Sequence, residues 1–140
     1  MRWLIDTGPL VAYVDSADPA HEAVAATLDT FTGRLHTTSA VVTEAMHMVS
    51  ADPDGPEILA EFLLATATDV ADVGRPGQLQ AAVRLMKEYR DTPMDFADAT
   101  LVLLGDQLSV PDILTLDRRG FLTYRAAGGK AFRLVLPPVR

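Results

Sequence analysis

Four carboxylates stand at the ends of separate stretches of this chain. Asp6 closes the apolar run Arg2-Trp3-Leu4-Ile5, Glu44 sits inside an amphipathic segment, Asp98 opens another, and Asp117 closes the run Ile113-Leu114-Thr115-Leu116. Solubility alone explains such a distribution poorly. Brought together by a fold, these acids would repel one another unless a proton or a cation were shared between them. An all-oxygen donor set suits a hard cation, Mg²⁺ or Mn²⁺, better than zinc. A cation held there would offset charge at an anionic ester and acidify a bound water, so the chemistry in view is metal-assisted hydrolysis.

Each acid has a plainer explanation to set beside that one. Asp95-Phe96-Ala97-Asp98 has the spacing of a capping box, with Asp95 as N-cap and Asp98 at the third helical position, where a carboxylate favours the positive helix end. Capping is the stronger reading for Asp95. For Asp98 the metal reading is stronger, because Ala97, Ala99 and Leu101-Val102-Leu103-Leu104 leave it a lone charge on an apolar helix, and a buried acid requires a partner. Ser39 reads as the N-cap of the segment that runs to Val49, which puts Glu44 just past its first turn. That helix is otherwise almost wholly apolar, so its few polar residues are informative. His47, one turn on, is read as facing solvent, with a bond to Glu44 as the alternative. His21 and His36 have no partner at a telling spacing.

The elements that must position these residues alternate. Strands are expected at Arg2 to Asp6, Arg34 to Thr38, Thr68 to Val73, Asp112 to Leu116 and Phe132 to Leu136. Helices are expected at Pro9 to Val14, His21 to Thr30, Ala40 to Val49, Glu57 to Ala67, Pro76 to Tyr89 and Phe96 to Leu108, with a short turn near Arg119 to Leu122. Such alternation implies an α/β fold, a parallel sheet covered by helices on both faces. Ligands of open parallel sheets gather outside the carboxyl ends of the strands, where strand order reverses. Asp6 and Asp117 would stand side by side there if their strands are neighbours.

The chain has 140 residues, 49% hydrophobic and 22% charged, which fits one globular domain over residues 1–140. No apolar stretch approaches the roughly 18 to 20 residues that span a bilayer, and Asp6 interrupts any signal-peptide core, so a cytoplasmic, membrane-free location is expected. Cysteine is absent, which excludes disulfides and thiolate metal sites. The net charge of −7 argues at first against a polyanion partner, yet all 19 acidic residues lie within residues 1–117. The remaining segment carries Arg118, Arg119, Arg125, Lys130, Arg133 and Arg140 and no acid. This asymmetry fits a polyanion-facing edge beside an acidic pocket, or a solvated basic terminus. Arg118 and Arg119, directly after Asp117, could hold a phosphate backbone or face water in the turn. Trp3 and Phe96 are read as buried, so few aromatics remain on which unpaired bases could stack.

Leu4-Ile5-Asp6-Thr7-Gly8-Pro9-Leu10-Val11-Ala12, Val42-Thr43-Glu44-Ala45, Met94-Asp95-Phe96-Ala97-Asp98-Ala99-Thr100-Leu101-Val102 and Leu114-Thr115-Leu116-Asp117-Arg118-Arg119-Gly120-Phe121 together resemble the PIN-domain family, in particular its VapC-like toxin ribonucleases. The four motifs occur in the family's order and span nearly the whole chain. The resemblance implies a three-layer sandwich built on a central five-stranded parallel sheet. It implies that Asp6, Glu44, Asp98 and Asp117 form an acidic site for one or two Mg²⁺ or Mn²⁺ ions, with Asp95 a possible addition and Thr7 and Thr115 as polar neighbours of the ligands. It further implies hydrolysis of single-stranded RNA, a homodimer, and a small antitoxin protein that blocks the site.

Three other classes compete. Asp6-Thr7-Gly8 copies the aspartic-protease triplet, but it occurs once and opens a helix. A phosphoacceptor receiver would place a Lys after a late strand, and neither Lys87 nor Lys130 stands there. A catalytically silent PIN-fold module that binds a partner protein stays open on sequence grounds.

Overall fold

A computed structural model describes residues 1–138; Arg140, counted above among the C-terminal basic residues, lies outside them. In chain order the elements are β1 (Arg2–Ile5), α1 (Thr7–Val14), α2 (His21–Thr30), β2 (Arg34–Thr38), α3 (Ser39–Val49), α4 (Gly55–Ala65), β3 (Asp69–Ala71) and α5 (Pro76–Glu88). There follow α6 (Phe96–Leu108), β4 (Asp112–Leu114), α7 (Arg118–Thr123), β5 (Arg125–Ala126), β6 (Lys130–Ala131) and β7 (Arg133–Leu134).

Five strands form one sheet in the order β3-β2-β1-β4-β7, and every neighbouring pair is parallel. The chain lays β2 and then β3 on one side of β1, and returns through α6 to lay β4 on the other. Strand order therefore reverses between β1 and β4, which are paired through Leu4 to Ile113 and Ile5 to Leu114. All four of these residues are fully buried. Successive side chains of a strand point to opposite faces, so both faces of the sheet are covered, the three-layer α/β sandwich expected. α6 approaches β1 closely at Gly105, where a Cβ would lie 3.0 Å from Leu4 Cδ1 and 3.0 Å from Phe132 Cε1.

The differences from the expected boundaries have local causes. β1 and β4 stop at Ile5 and Leu114, before the residues expected to close them, because Asp6 and Thr115 turn toward the next helix. The N-cap of α3 is Thr38, not Ser39; its backbone is extended (φ −118°, ψ 158°) and its hydroxyl accepts from Val41 N at 3.3 Å. The turn near Arg119 is a short helix, α7. The antiparallel hairpin of β5 and β6 was not expected at all; it turns through Gly128 and Gly129, both at φ 76°, a left-handed conformation that favours glycine. Phe96, the first residue of α6, is not buried but 37% exposed. Trp3 is half-buried and stacks on Phe31, ring centroids 3.8 Å apart. His36 does have partners: Arg2 Nε donates to its Nε2 at 3.2 Å and Asp69 lies 3.5 Å from Nδ1. No helix among the described residues is long and apolar enough to cross a membrane.

Candidate active site

Asp6 occupies the point of strand reversal. Its N–H donates to Leu114 O at 3.0 Å, the last rung between β1 and β4, and its carboxylate caps α1. Oδ1 accepts from Thr7 N at 2.8 Å, and Oδ2 accepts from Thr115 Oγ1 at 2.7 Å. The residue is 6% exposed, yet no ion pair reaches it among the described residues. Burial pushes its carboxyl from 3.8 up to about 6, against the pull of the Thr115 and Thr7 hydrogen bonds, and the charges of Asp117 and Asp95 add to the rise. A buried carboxylate with two hydrogen bonds and no counter-charge is an uncompensated site.

The other acids are held by the ends of helices around it. Thr115 donates to Asp6 and accepts from Asp117 N at 3.0 Å, so one hydroxyl links the ends of β1 and β4. Asp117 caps α7, its Oδ1 accepting from Gly120 N at 3.0 Å. A Cβ at Gly120 would collide with Asp117 Oδ2 and stand 2.9 Å from the Tyr124 ring, so a side chain there would push the carboxylate or the ring aside. Asp95 and Asp98 form the expected reciprocal box: Asp98 N donates to Asp95 Oδ1 at 2.8 Å, and Asp95 N donates to Asp98 Oδ2 at 3.1 Å. Asp98 is half-buried. Its carboxyl is raised to about 8, first by burial and then by the charges of Asp6 and Asp95.

Glu44 projects from the second turn of α3. Its carboxyl is also raised, by burial foremost and by Asp95, while the hydroxyl of Thr7 works in the opposite direction. That hydroxyl is buried and makes no hydrogen bond of proper geometry, an orphaned polar atom among the acids. Tyr124 reports the same convergence: burial chiefly, then the charges of Asp98, Asp117, Asp95 and Asp6, hold its phenol protonated well above the ordinary range.

The structure thus brings Asp6, Glu44, Asp95, Asp98 and Asp117 into one electrostatic neighbourhood, with no ion pair to any of them among the described residues. As placed, no three of them close on a common point among the described residues. The reason is visible in their bonds. Asp95, Asp98 and Asp117 each turn one oxygen back to a backbone N–H. The donor chemistry nevertheless fits a hard divalent ion: oxygens only, a buried carboxylate without counter-charge, a second carboxyl raised by burial and then by its neighbours, and the unpartnered Thr7 hydroxyl beside them.

The basic segment is largely committed elsewhere. Arg118 Nη1 donates to Leu136 O at 2.9 Å, Arg125 Nη1 satisfies the carbonyls of Leu122 and Tyr124 at 2.9 and 3.0 Å, and Arg133 forms a two-point pair with Asp112 at 2.7 Å. Arg119 and Lys130 remain exposed, with no ion pair among the described residues. His47 is exposed, and His21 Nδ1 bonds Ala12 O at 2.7 Å. Sequence reasoning missed Tyr124 and the buried Thr38–Thr100 hydroxyl pair, 2.8 Å apart, that ties α3 to α6. Neither carries a motif; an unpaired Thr in an apolar helix was the only signal.

No family model matches the chain. Among known proteins it is similar to Ribonuclease VapC26 of Mycobacterium tuberculosis (strain ATCC 25618 / H37Rv), 34% identical over 134 residues, covering 94% of this chain and 98% of the relative. Among solved structures it resembles Mycobacterium tuberculosis VapC20, described as a sarcin-ricin loop cleaving toxin, with a TM-score of 0.74 at 16% identity over 84% of this chain and 90% of that one. It also resembles VapBC2 from Rickettsia felis, solved bound to a DNA fragment from its promoter, with a TM-score of 0.68 at 11% identity over 96% and 98% of the two chains.

Proposed function

The chain belongs to the VapC ribonucleases of the PIN-domain family, and from that membership we propose that it is a Mg²⁺- or Mn²⁺-dependent endoribonuclease acting on single-stranded RNA, the toxin of a toxin–antitoxin pair. Asp6, Glu44, Asp98 and Asp117 would hold the ion, with Asp95 as cap of α6 and auxiliary acid. The observation that carries this reading is the buried Asp6 without a counter-charge among the described residues, at the reversal between β1 and β4, close enough for its charge to raise Asp98.

A divalent ion bound there supplies Lewis acidity: it lowers the pKa of a bound water and offsets the charge that builds on the phosphate oxygens. The chain's residues do the rest. Thr115 and Thr7 N–H fix the Asp6 carboxylate, so its direction is set before substrate arrives. Asp98, its carboxyl raised to about 8 by burial and then by the charges of Asp6 and Asp95, would have to give up its proton to serve as a ligand. Asp98 Oδ1, the oxygen not bonded to Asp95 N, is the one left to serve as a ligand. Attack of water oxygen on phosphorus, with departure of the 3′ oxygen, leaves a 5′-phosphate and a 3′-hydroxyl. Arg119, exposed and unpaired beside Asp117, contacts the flanking backbone, with Arg118 contributing those N–H groups not spent on Leu136.

Family membership also supports a small antitoxin protein that covers the acids, a homodimer, one domain over the whole chain, and action in the cytoplasm. One observation favours a second reading, a silent PIN-fold module that binds a partner protein: the acids do not close on a common point as placed. A labelled single-stranded RNA panel separates the two. Cleavage is expected with Mg²⁺ or Mn²⁺, none in EDTA, and none by Asp6→Asn. Cleavage that persists in EDTA or in the variant sinks the proposal, and intact RNA under every condition supports the module.

A further inference from the structure

Three acids of the site hang on two separate pieces of chain, and one side chain ties these together. Asp117 caps α7, while Asp95 and Asp98 belong to the start of α6. Tyr124 closes α7: its N–H donates to Gly120 O at 2.8 Å. Its phenol crosses to the segment in front of α6, donating to Pro93 O at 2.8 Å, with Thr92 O at 3.4 Å. Among the described residues no other hydrogen bond joins α7 to that segment. The ring is fully buried and held edge-on by Phe121 and Tyr89, centroids 5.1 and 5.2 Å away. Gly120, which lacks a Cβ, lets the ring and the Asp117 carboxylate both come close. The path is continuous: Asp117 to Gly120 N, Gly120 O to Tyr124 N, Tyr124 OH to Pro93 O, then two residues on to Asp95 and its box with Asp98.

We propose that Tyr124 is a positioning residue whose hydroxyl sets the separation of Asp117 from Asp95 and Asp98, and thereby the affinity of the site for a divalent cation. The inference rests on the metal-site reading above. It is distinct from a general packing role, because the neighbouring Tyr89 supplies a matched control. The Tyr89 hydroxyl also makes one backbone hydrogen bond, accepting from Arg125 N at 3.0 Å, but holds none of the acids.

Mn²⁺ binding to the wild type, Tyr124→Phe and Tyr89→Phe is measured from the loss of the free-ion electron paramagnetic resonance signal, without RNA, with circular dichroism to confirm folding. Tyr124→Phe is expected to bind Mn²⁺ about tenfold more weakly or worse, as removal of a group that orients a metal ligand does, and Tyr89→Phe to stay within about twofold. Tyr124→4-aminophenylalanine, which keeps a donor at the same point, is expected to recover most of the loss. An unchanged Tyr124→Phe isotherm, or an equal loss in Tyr89→Phe, overturns the inference and leaves the metal site standing. A folded wild type that binds no Mn²⁺ overturns both.

Discussion

Replacing Asp6 by Asn should stabilise the cation-free protein, although it destroys the proposed activity. The folded-state pKa of Asp6 is raised from 3.8 to about 6 by burial. The group therefore contributes stability that is fully present below 3.8 and is lost as pH rises through about 6. Above that range its ionised form costs about 3 kcal/mol, at about 1.4 kcal/mol per pKa unit. Asn removes the charge and keeps one carbonyl oxygen for Thr7 N or Thr115 Oγ1. The other hydrogen bond is weakened, a loss of about 1 kcal/mol. The net expectation in EDTA at pH 7.5 is stabilisation by about 2 kcal/mol, or roughly 5 to 10 °C in Tm for a chain of this size. At pH 4 Asp6 is largely protonated, the gain disappears, and the variant is slightly less stable than wild type. Thermal melts of both proteins from pH 4 to 8 in EDTA, repeated with Mg²⁺, supply the test. The cation should raise the wild-type Tm and leave that of the variant unmoved. A variant less stable than wild type at pH 7.5, or a difference that does not change with pH, would refute the claim that Asp6 is buried without compensation.

Other expectations follow from the same geometry. Because Asp98 is raised to about 8, Mn²⁺ binding at pH 7 should release most of a proton, seen as a dependence of calorimetric heat on buffer ionisation enthalpy; at pH 9 that release should vanish. Thr115→Val keeps the shape but deletes the donor to Asp6 and the acceptor of Asp117 N; it should weaken cation binding about tenfold and, in denaturant melts, cost about 1 to 3 kcal/mol. Asp95→Ala removes the cap of α6 and should cost about 1 kcal/mol by the same melts, with cleavage reduced but present. Loss of all cleavage in Asp95→Ala, with Asp98→Asn still active, would exchange the two roles.

Much of this was legible because local chemistry and tertiary demand agree. Phe96–Leu108 is bounded by the Asp95 cap and by Ser109 at φ 56°, a stop that requires no knowledge of the rest of the fold. Arg34 to Thr38 was readable end to end because it stays in register with both neighbours. Where a residue serves two structures, pattern failed. Asp6 and Thr115 look like strand ends but already act as caps, and Thr38 beside Ser39 offers two hydroxyls for one cap. The β5–β6 hairpin escaped because two-residue strands have no periodicity, although Gly128-Gly129 marked the turn. The acids themselves were visible, but the approach of Asp6 to Asp117 depends on β1 lying beside β4, which no local spacing encodes. The basic terminus was legible only as a charge bias: Arg118, Arg125 and Arg133 serve backbone carbonyls and Asp112, and a count of charges cannot distinguish a structural guanidinium from a free one.

The most direct test is a crystal structure of the protein grown with Mn²⁺, with the ion located by its anomalous scattering. One ion is expected at about 2.0 to 2.3 Å from carboxylate oxygens of both Asp6 and Asp98, with Asp117 or Glu44 drawn in. Anomalous density elsewhere on the molecule, or none among these acids at saturating Mn²⁺, would contradict the account.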